Sequence, residues 1–140
     1  MTQLSAAQPR IYSVDEPPQW DDVVVASGST IWAGSAVAVV IATGLARQLT
    51  GDSTVEKFAG FANETVVGDG VKRCRVRRVT KVELTVVGVT GDVDRGKAVY
   101  ASDGATFSLT QGTNDPQIGV VSRHVSGTTC EVSVKADTIA

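Results

Sequence analysis

The sequence predicts an all-β fold: a small β-barrel or sandwich built from two similar β-units, preceded by an extended N-terminal arm. Three observations carry this. The first is an internal repeat. GSAVAVVIATGLARQLT followed by FAGFANETVVGDGVKRCRVRR is echoed by GKAVYASDGATFSLTQ followed by QIGVVSRHVSGTTCEVSVK. Gly34, Leu49, Gly60 and Cys74 match Gly96, Leu109, Gly119 and Cys130, at offsets of 62, 60, 59 and 56. Two copies are too few for a solenoid, which needs at least three, so they are expected to form one domain with pseudo-two-fold symmetry. The second observation is composition. Aromatics make up 5% of the 140 residues and Val is abundant, which favours strands over helices. The third is punctuation, since short apolar runs alternate with turn residues and no apolar stripe persists at helical spacing.

Residues 1–22 read as the arm and 23–140 as a single β-domain, with repeat units at about 34–80 and 96–135. The arm is polar and holds Pro9, Pro17 and Pro18 together with Asp15, Glu16, Asp21 and Asp22. Pro17-Pro18 blocks helix and ladder pairing and favours an extended course. Ile11, Tyr12, Val14 and Trp20 are its apolar residues, which an arm needs only if it docks. Strands are expected at Val23–Ala26, Thr30–Trp32, Val37–Thr43, Leu45–Leu49 and Lys57–Asn63. Gly60, inside the last of these, signals either a bulge or a close approach of another backbone. Val71–Val79 and Lys81–Val87 alternate as two further strands. Ala98–Ala101, Thr106–Leu109, Gln117–His124 and Thr129–Val134 then repeat the order. Trp32 is expected in the core, beneath the first repeat.

The net charge of −2 provides no global field toward nucleic acid or an anionic membrane. The start, MTQLSAAQPR, has no apolar h-region, and the longest apolar run, Ala36–Ala42, is too short to span a bilayer. Six of the thirteen basic residues fall within positions 72–81. In a strand, Arg73, Arg75 and Arg77 share one face and Cys74 and Val76 the other. That stripe is either a solvated face or a charged contact surface, with the acidic arm as one partner in cis or in trans. Nucleic acid is disfavoured, because aromatic stacking platforms and a wider basic field do not accompany it.

No catalytic constellation is legible. His124 has no sequence-near acid or nucleophile, and GxSxG and GxxxxGK[ST] are absent. Asp69, Asp92 and Asp94 lack calcium-loop spacing and read as turn formers. One His and two separated Cys do not make a metal site. Cys74 and Cys130 read as small buried hydrophobes, with a disulfide between the repeats as the sharper alternative. The expectation is a protein that is not an enzyme and has no cofactor or metal.

The second repeat resembles the capsid cement, or head decoration, proteins of tailed phages. The positions that carry the likeness are Gly96, Val99, Tyr100, Leu109, Ile118, Gly119, Val121, Val132 and Val134, with Phe58-Ala-Gly60-Phe-Ala in the first half. It spans roughly residues 34–135, and the arm lies outside it. The resemblance implies an all-β structural protein of the virion, made in the host cytoplasm. It would sit on the outer surface of an icosahedral head between major capsid protein subunits, as a homo-oligomer and often a trimer, without touching nucleic acid or membrane. Ile11, Tyr12, Val14, Trp20, Arg73, Arg75 and Arg77 are the expected capsid or subunit contacts. The alternatives are another phage structural β-protein (tail tube, connector or baseplate component) and a surface glycan-binding module.

Overall fold

The computed structural model describes residues 3–13 and 18–136. Eleven strands follow in order: β1 (Gln19–Val24), β2 (Thr30–Ile31), β3 (Ala36–Val40), β4 (Ala46–Gln48), β5 (Glu56–Ala62), β6 (Val66–Val67), β7 (Arg73–Val87), β8 (Ala98–Ala101), β9 (Phe107–Ser108), β10 (Gln117–Ser126) and β11 (Thr129–Lys135). The only helical element among the described residues is a single 3-10 turn at Asp92–Asp94.

The fold is all-β, and the sequence repeat is a repeat of barrels. In the second unit β7 pairs with β11, β11 with β10, β10 with β8, β8 with β9, and β9 returns to β7 in parallel, closing a five-stranded ring. The first unit runs through the same circuit. β1 pairs with β7, β7 with β5, β5 with β3 and β3 with β4; a parallel bridge from Ala46 to Val25 closes the ring. Equivalent registers match: Val23 lies opposite Cys74 as Leu84 lies opposite Cys130. The repeat therefore begins earlier than its sequence signature. β1 is the counterpart of the second half of β7, although the two share little sequence.

β7 is the spine, closing the first ring and opening the second. Two strands were expected here, but Thr80 is buried and pairs with Val134, so the chain passes from one barrel to the other without a turn. Nothing at Thr80-Lys81 breaks a strand. Alternation falters just before, at Arg77–Val79, where the β1–β7 register skips Arg78 and the strand changes the core it faces. Val23, Val25, Val37, Ala46, Ala62, Cys74 and Val76 fill the first barrel with Ile31. Val82, Leu84, Val86, Val99, Phe107, Ile118 and Val132 belong to the larger core of the second. Ala36, Ala38, Phe58 and Phe61, on the opposite face of β3 and β5, join that larger core and weld the units together.

Gly60 is both of the things its position predicted. The β3–β5 register shifts beside it, skipping Ala59, and the Arg77 carbonyl crowds its α-carbon. Gln19–Asp22, expected in the arm, begin β1. Their polar side chains are exposed while the backbone pairs with β7, so composition concealed a strand. Trp32 is half-buried in the turn after β2 and belongs to neither core. Both cysteines are free and buried, one in each core, so no disulfide joins the repeats.

Candidate interface site

Six of the seven predicted contact residues can be placed; Val14 lies outside the described residues. Tyr12 and Ile11 belong to the arm, Trp20 to β1, and Arg73, Arg75 and Arg77 to β7. Period-two geometry puts the three arginines on the outer face, while Cys74 and Val76 point into the first core. β1 lies antiparallel beside them, with Trp20 opposite Arg77 and Asp22 opposite Arg75.

Two of the three stripe arginines are held by aromatic rings. The Arg77 guanidinium lies 3.8 Å from the Tyr12 ring centroid and 4.6 Å from that of Trp20. Arg75 lies 4.4 Å from Trp20 on the same ladder. Order along the outer face is thus Tyr12, Arg77, Trp20, Arg75, alternating ring and cation. Each contact draws on the ring quadrupole and is worth about 0.5–2 kcal/mol depending on solvation. Arg77 Nε is buried without a hydrogen-bond partner, as expected of a guanidinium held by its faces. Burial raises the Tyr12 phenol above its ordinary pKa, and the Arg77 and Arg10 cations oppose that rise. Arg73, at the end of the row, is exposed.

Two hollows flank the ladder. One, of about 460 Å³, is lined by Trp20, Asp21, Asp22, Arg73 and Arg75. The other, of about 480 Å³, lies between Ile11–Ser13 and the outer faces of β7, β11 and β10. There Glu83 faces Glu131 across the strands, and Arg123 lies 3.4 Å from the Glu131 carboxylate. Ile11 stands at its rim, 64% exposed. This surface can offer stacked guanidinium groups, one indole ring, one phenol ring and an exposed aliphatic chain to a partner.

The arm docks in cis. Tyr12 forms an antiparallel bridge with Val82, and Gln8 N donates to Ala33 O at 2.8 Å. Arg10 is a contact that composition did not single out. Its Nε donates to Gly34 O at 2.8 Å, and its guanidinium sits 5.9 Å from the Phe61 ring and 5.7 Å from the Phe107 ring. Burial lowers its pKa. No spacing in the sequence announces this, because the rings come from different units.

The other candidates are structural. His124 donates its backbone N–H to Asp92 Oδ1 (2.9 Å), and its ring Nε2 lies 3.0 Å from Gly127 O. Asp69 Oδ1 accepts from the backbone of Val71 and Lys72, a turn-forming role as expected. Burial pushes the Cys74 and Cys130 thiols up to about 12 and about 11, which suppresses thiolate chemistry. Among the described residues no group of three His, Cys, Asp or Glu is arranged to hold a metal ion. The chain matches no protein-family model, and no curated protein is significantly similar to it.

Proposed function

We propose that the protein is a structural virion component that decorates the outer surface of a tailed-phage head, binding between major capsid protein subunits as a homo-oligomer and without catalysis. One observation carries the reading. The residue types most enriched at binding hot spots, Trp, Tyr and Arg, are assembled on one outer face where the arm meets the first barrel, as Tyr12, Arg77, Trp20 and Arg75. The resemblance of residues 34–135 to cement proteins supplies the target. Ring closure supports a contact made through side chains and arm, since a closed barrel leaves few strand edges for a partner.

Cement acts by mass action. A protein that binds the assembled lattice and not its dissociated subunits stabilises the lattice, and many copies engaged together multiply a modest affinity. The test mixes purified protein with undecorated heads assembled from the major capsid protein of the same genome, followed by sedimentation. Co-sedimentation at a saturating stoichiometry is expected, with loss of binding in Arg73→Glu/Arg75→Glu, a variant whose changes fall on exposed side chains. Wild-type protein that ignores heads and builds rings or tubes alone would move the reading to a tail or connector component.

A further inference from the structure

β1 and the second half of β7 are counterparts, yet their outer edges differ. Antiparallel pairing turns the backbone of alternate residues toward one neighbour and that of the rest away. Val25 N donates to Lys72 O (2.8 Å), so Val23 and Asp21 also face β7, and Trp20, Asp22 and Val24 face away. In the second unit Val86 N donates to Thr128 O (2.9 Å), which turns Lys81 and Glu83 away from β11. The arm fills that second edge. Ser13 N donates to Lys81 O (3.0 Å), Glu83 N donates to Ile11 O (2.9 Å), and Tyr12 lies opposite Val82.

The first edge carries no such strand among the described residues. By the match of Val23 to Leu84, Trp20 and Asp22 stand where Lys81 and Glu83 stand, and Asp21 stands where Val82 does. The first ring reaches β4 only beyond them, at Val25 and Ala46. Asp22 N donates instead to the Asp21 carboxylate (2.9 Å), a side chain standing in for a neighbouring strand. Asp21 and Asp22 are exposed, whereas Val82 is buried and Lys81 and Glu83 are half-buried.

A hollow lies where the counterpart of Tyr12 belongs. Tyr12 shares the inner face with Val82 and packs against the second core, with the Arg77 guanidinium 3.8 Å from its ring centroid. A residue directly opposite Asp21 points in the same sense, into the first barrel. There a hollow of about 240 Å³ opens, lined by Asp21, Val23, Phe58 and Ala59 and by the cations of Lys57 and Arg78. Apolar walls suit an aromatic ring, cations are drawn to its face, and the carboxylate suits a phenolic hydroxyl.

We propose that the outer edge of β1 is a β-augmentation site: an extended segment of another protein pairs antiparallel with Trp20–Asp22 and inserts a central tyrosine into the hollow beside Asp21. Backbone bonds to Trp20 O and Asp22 N provide the attachment, and the hollow provides the choice of sequence. The Asp22 N–H passes from the Asp21 carboxylate to the incoming carbonyl, which frees that carboxylate to accept from the tyrosine hydroxyl. The chain's own arm is already engaged on the second barrel. Two β1 edges do not suit each other, because their paired aspartates would meet and like charges directly opposite are destabilising. The inference concerns this edge alone and is tested without heads, so it stands or falls apart from decoration.

The test follows backbone amide NMR shifts of the full chain during titration with a synthetic heptapeptide. The peptide has lysine at each end, threonine and valine between, and tyrosine at its centre. Saturable shifts centred on Trp20, Asp22 and Val24 are expected, with binding weakened at least about tenfold when the central tyrosine is alanine. Asp22→Pro should fold, since its N–H faces a free edge where proline is tolerated, and should lose binding. Asp22→Ala keeps the N–H and should bind as wild type does. Ala59→Leu, which fills the hollow and leaves the edge bonds alone, is the second variant, for use if Asp22→Pro unfolds, and should weaken binding about tenfold. The proposal is overturned by the absence of saturable shifts up to about 5 mM peptide, by undiminished binding to Asp22→Pro or Ala59→Leu, or by shifts centred on Lys81–Glu83. Concentration dependence of the Trp20–Val24 amides without peptide also overturns it, since the occupant would then be a second copy.

Discussion

Gly60 and Gly119 occupy the same place in the two barrels. Gly60 lies opposite Val37, beside a bulge at Ala59, and Gly119 lies opposite Val99, beside one at Ile118. A Cβ on either would overlap a carbonyl of the adjoining strand, that of Arg77 for Gly60 and of Ser133 for Gly119. The bulge and the close approach form one device, used twice to bend a strand tightly enough to close a five-membered ring.

Gly60→Ala and Gly119→Ala are both expected to destabilise the fold, the first more. At Gly60 φ is +134°, so an alanine meets backbone strain as well as overlap. Strain of that kind alone is worth about 1–3 kcal/mol. Urea unfolding of the two variants checks the order.

Arg77 and Arg73 should separate sharply although the sequence presents them as one stripe. Arg77→Ala removes contacts with both Tyr12 and Trp20 and should cost about 1–3 kcal/mol. Arg77→Lys should not restore it, because an ammonium lacks the planar faces that stack. Arg73→Ala, on an exposed side chain, should stay within about 0.5 kcal/mol. Denaturation curves for the three variants provide the comparison, and Trp20 emission should shift only in the Arg77 variants.

Glu56 is a buried acid at the start of β5. Its Oε1 accepts from Thr50 Oγ1 (2.6 Å) and Arg47 Nη2 (2.9 Å), and its Oε2 accepts from Thr50 N (2.8 Å). It thereby ties down the turn between β4 and β5. Glu56→Ala should cost about 3 kcal/mol, since it leaves Thr50 N–H and Arg47 without their acceptor. Glu56→Gln, which keeps an acceptor oxygen, should cost less. Chemical denaturation of the pair gives both values.

Acid should weaken the turn before β8. The Lys97 ammonium, 2.8 Å from the Asp94 carboxylate, and the Thr90 backbone N–H hold that carboxyl down from 3.8 to about 2. A carboxyl whose folded pKa is depressed contributes stability above its unfolded pKa, and the contribution is lost as pH falls through the folded value. The window runs from about pH 4 down to about pH 2. Asp94→Asn should be less stable than wild type at neutral pH, and the two should converge by about pH 2. Melting temperatures across that range test this.

Much of the fold was legible because barrel strands advertise themselves. The repeat, the inward alternation of Val82, Leu84 and Val86, and the outward arginines all follow from period two. What escaped detection lacked a local signal. β1 carries Asp21 and Asp22 on exposed positions and is a strand only because β7 offers its edge. The unity of β7 depends on two cores lying end to end. The ladder of Tyr12, Arg77, Trp20 and Arg75 joins three segments, so its ring and cation members could be named from sequence but not paired. Arg10 gave no hint at all, since what makes it notable is the seam between Phe61 and Phe107.

The continuity of β7 has a mechanical meaning. Two barrels joined by a linker would hinge; here the joint is the fifteen-residue strand itself, bonded to neighbours along both edges. Bending at the joint would have to break backbone bonds around Val79 and Thr80 in β1 and β11 together. A load applied to one barrel is therefore carried into the other along a braced beam, and the molecule resists flexing as a single stiff strut.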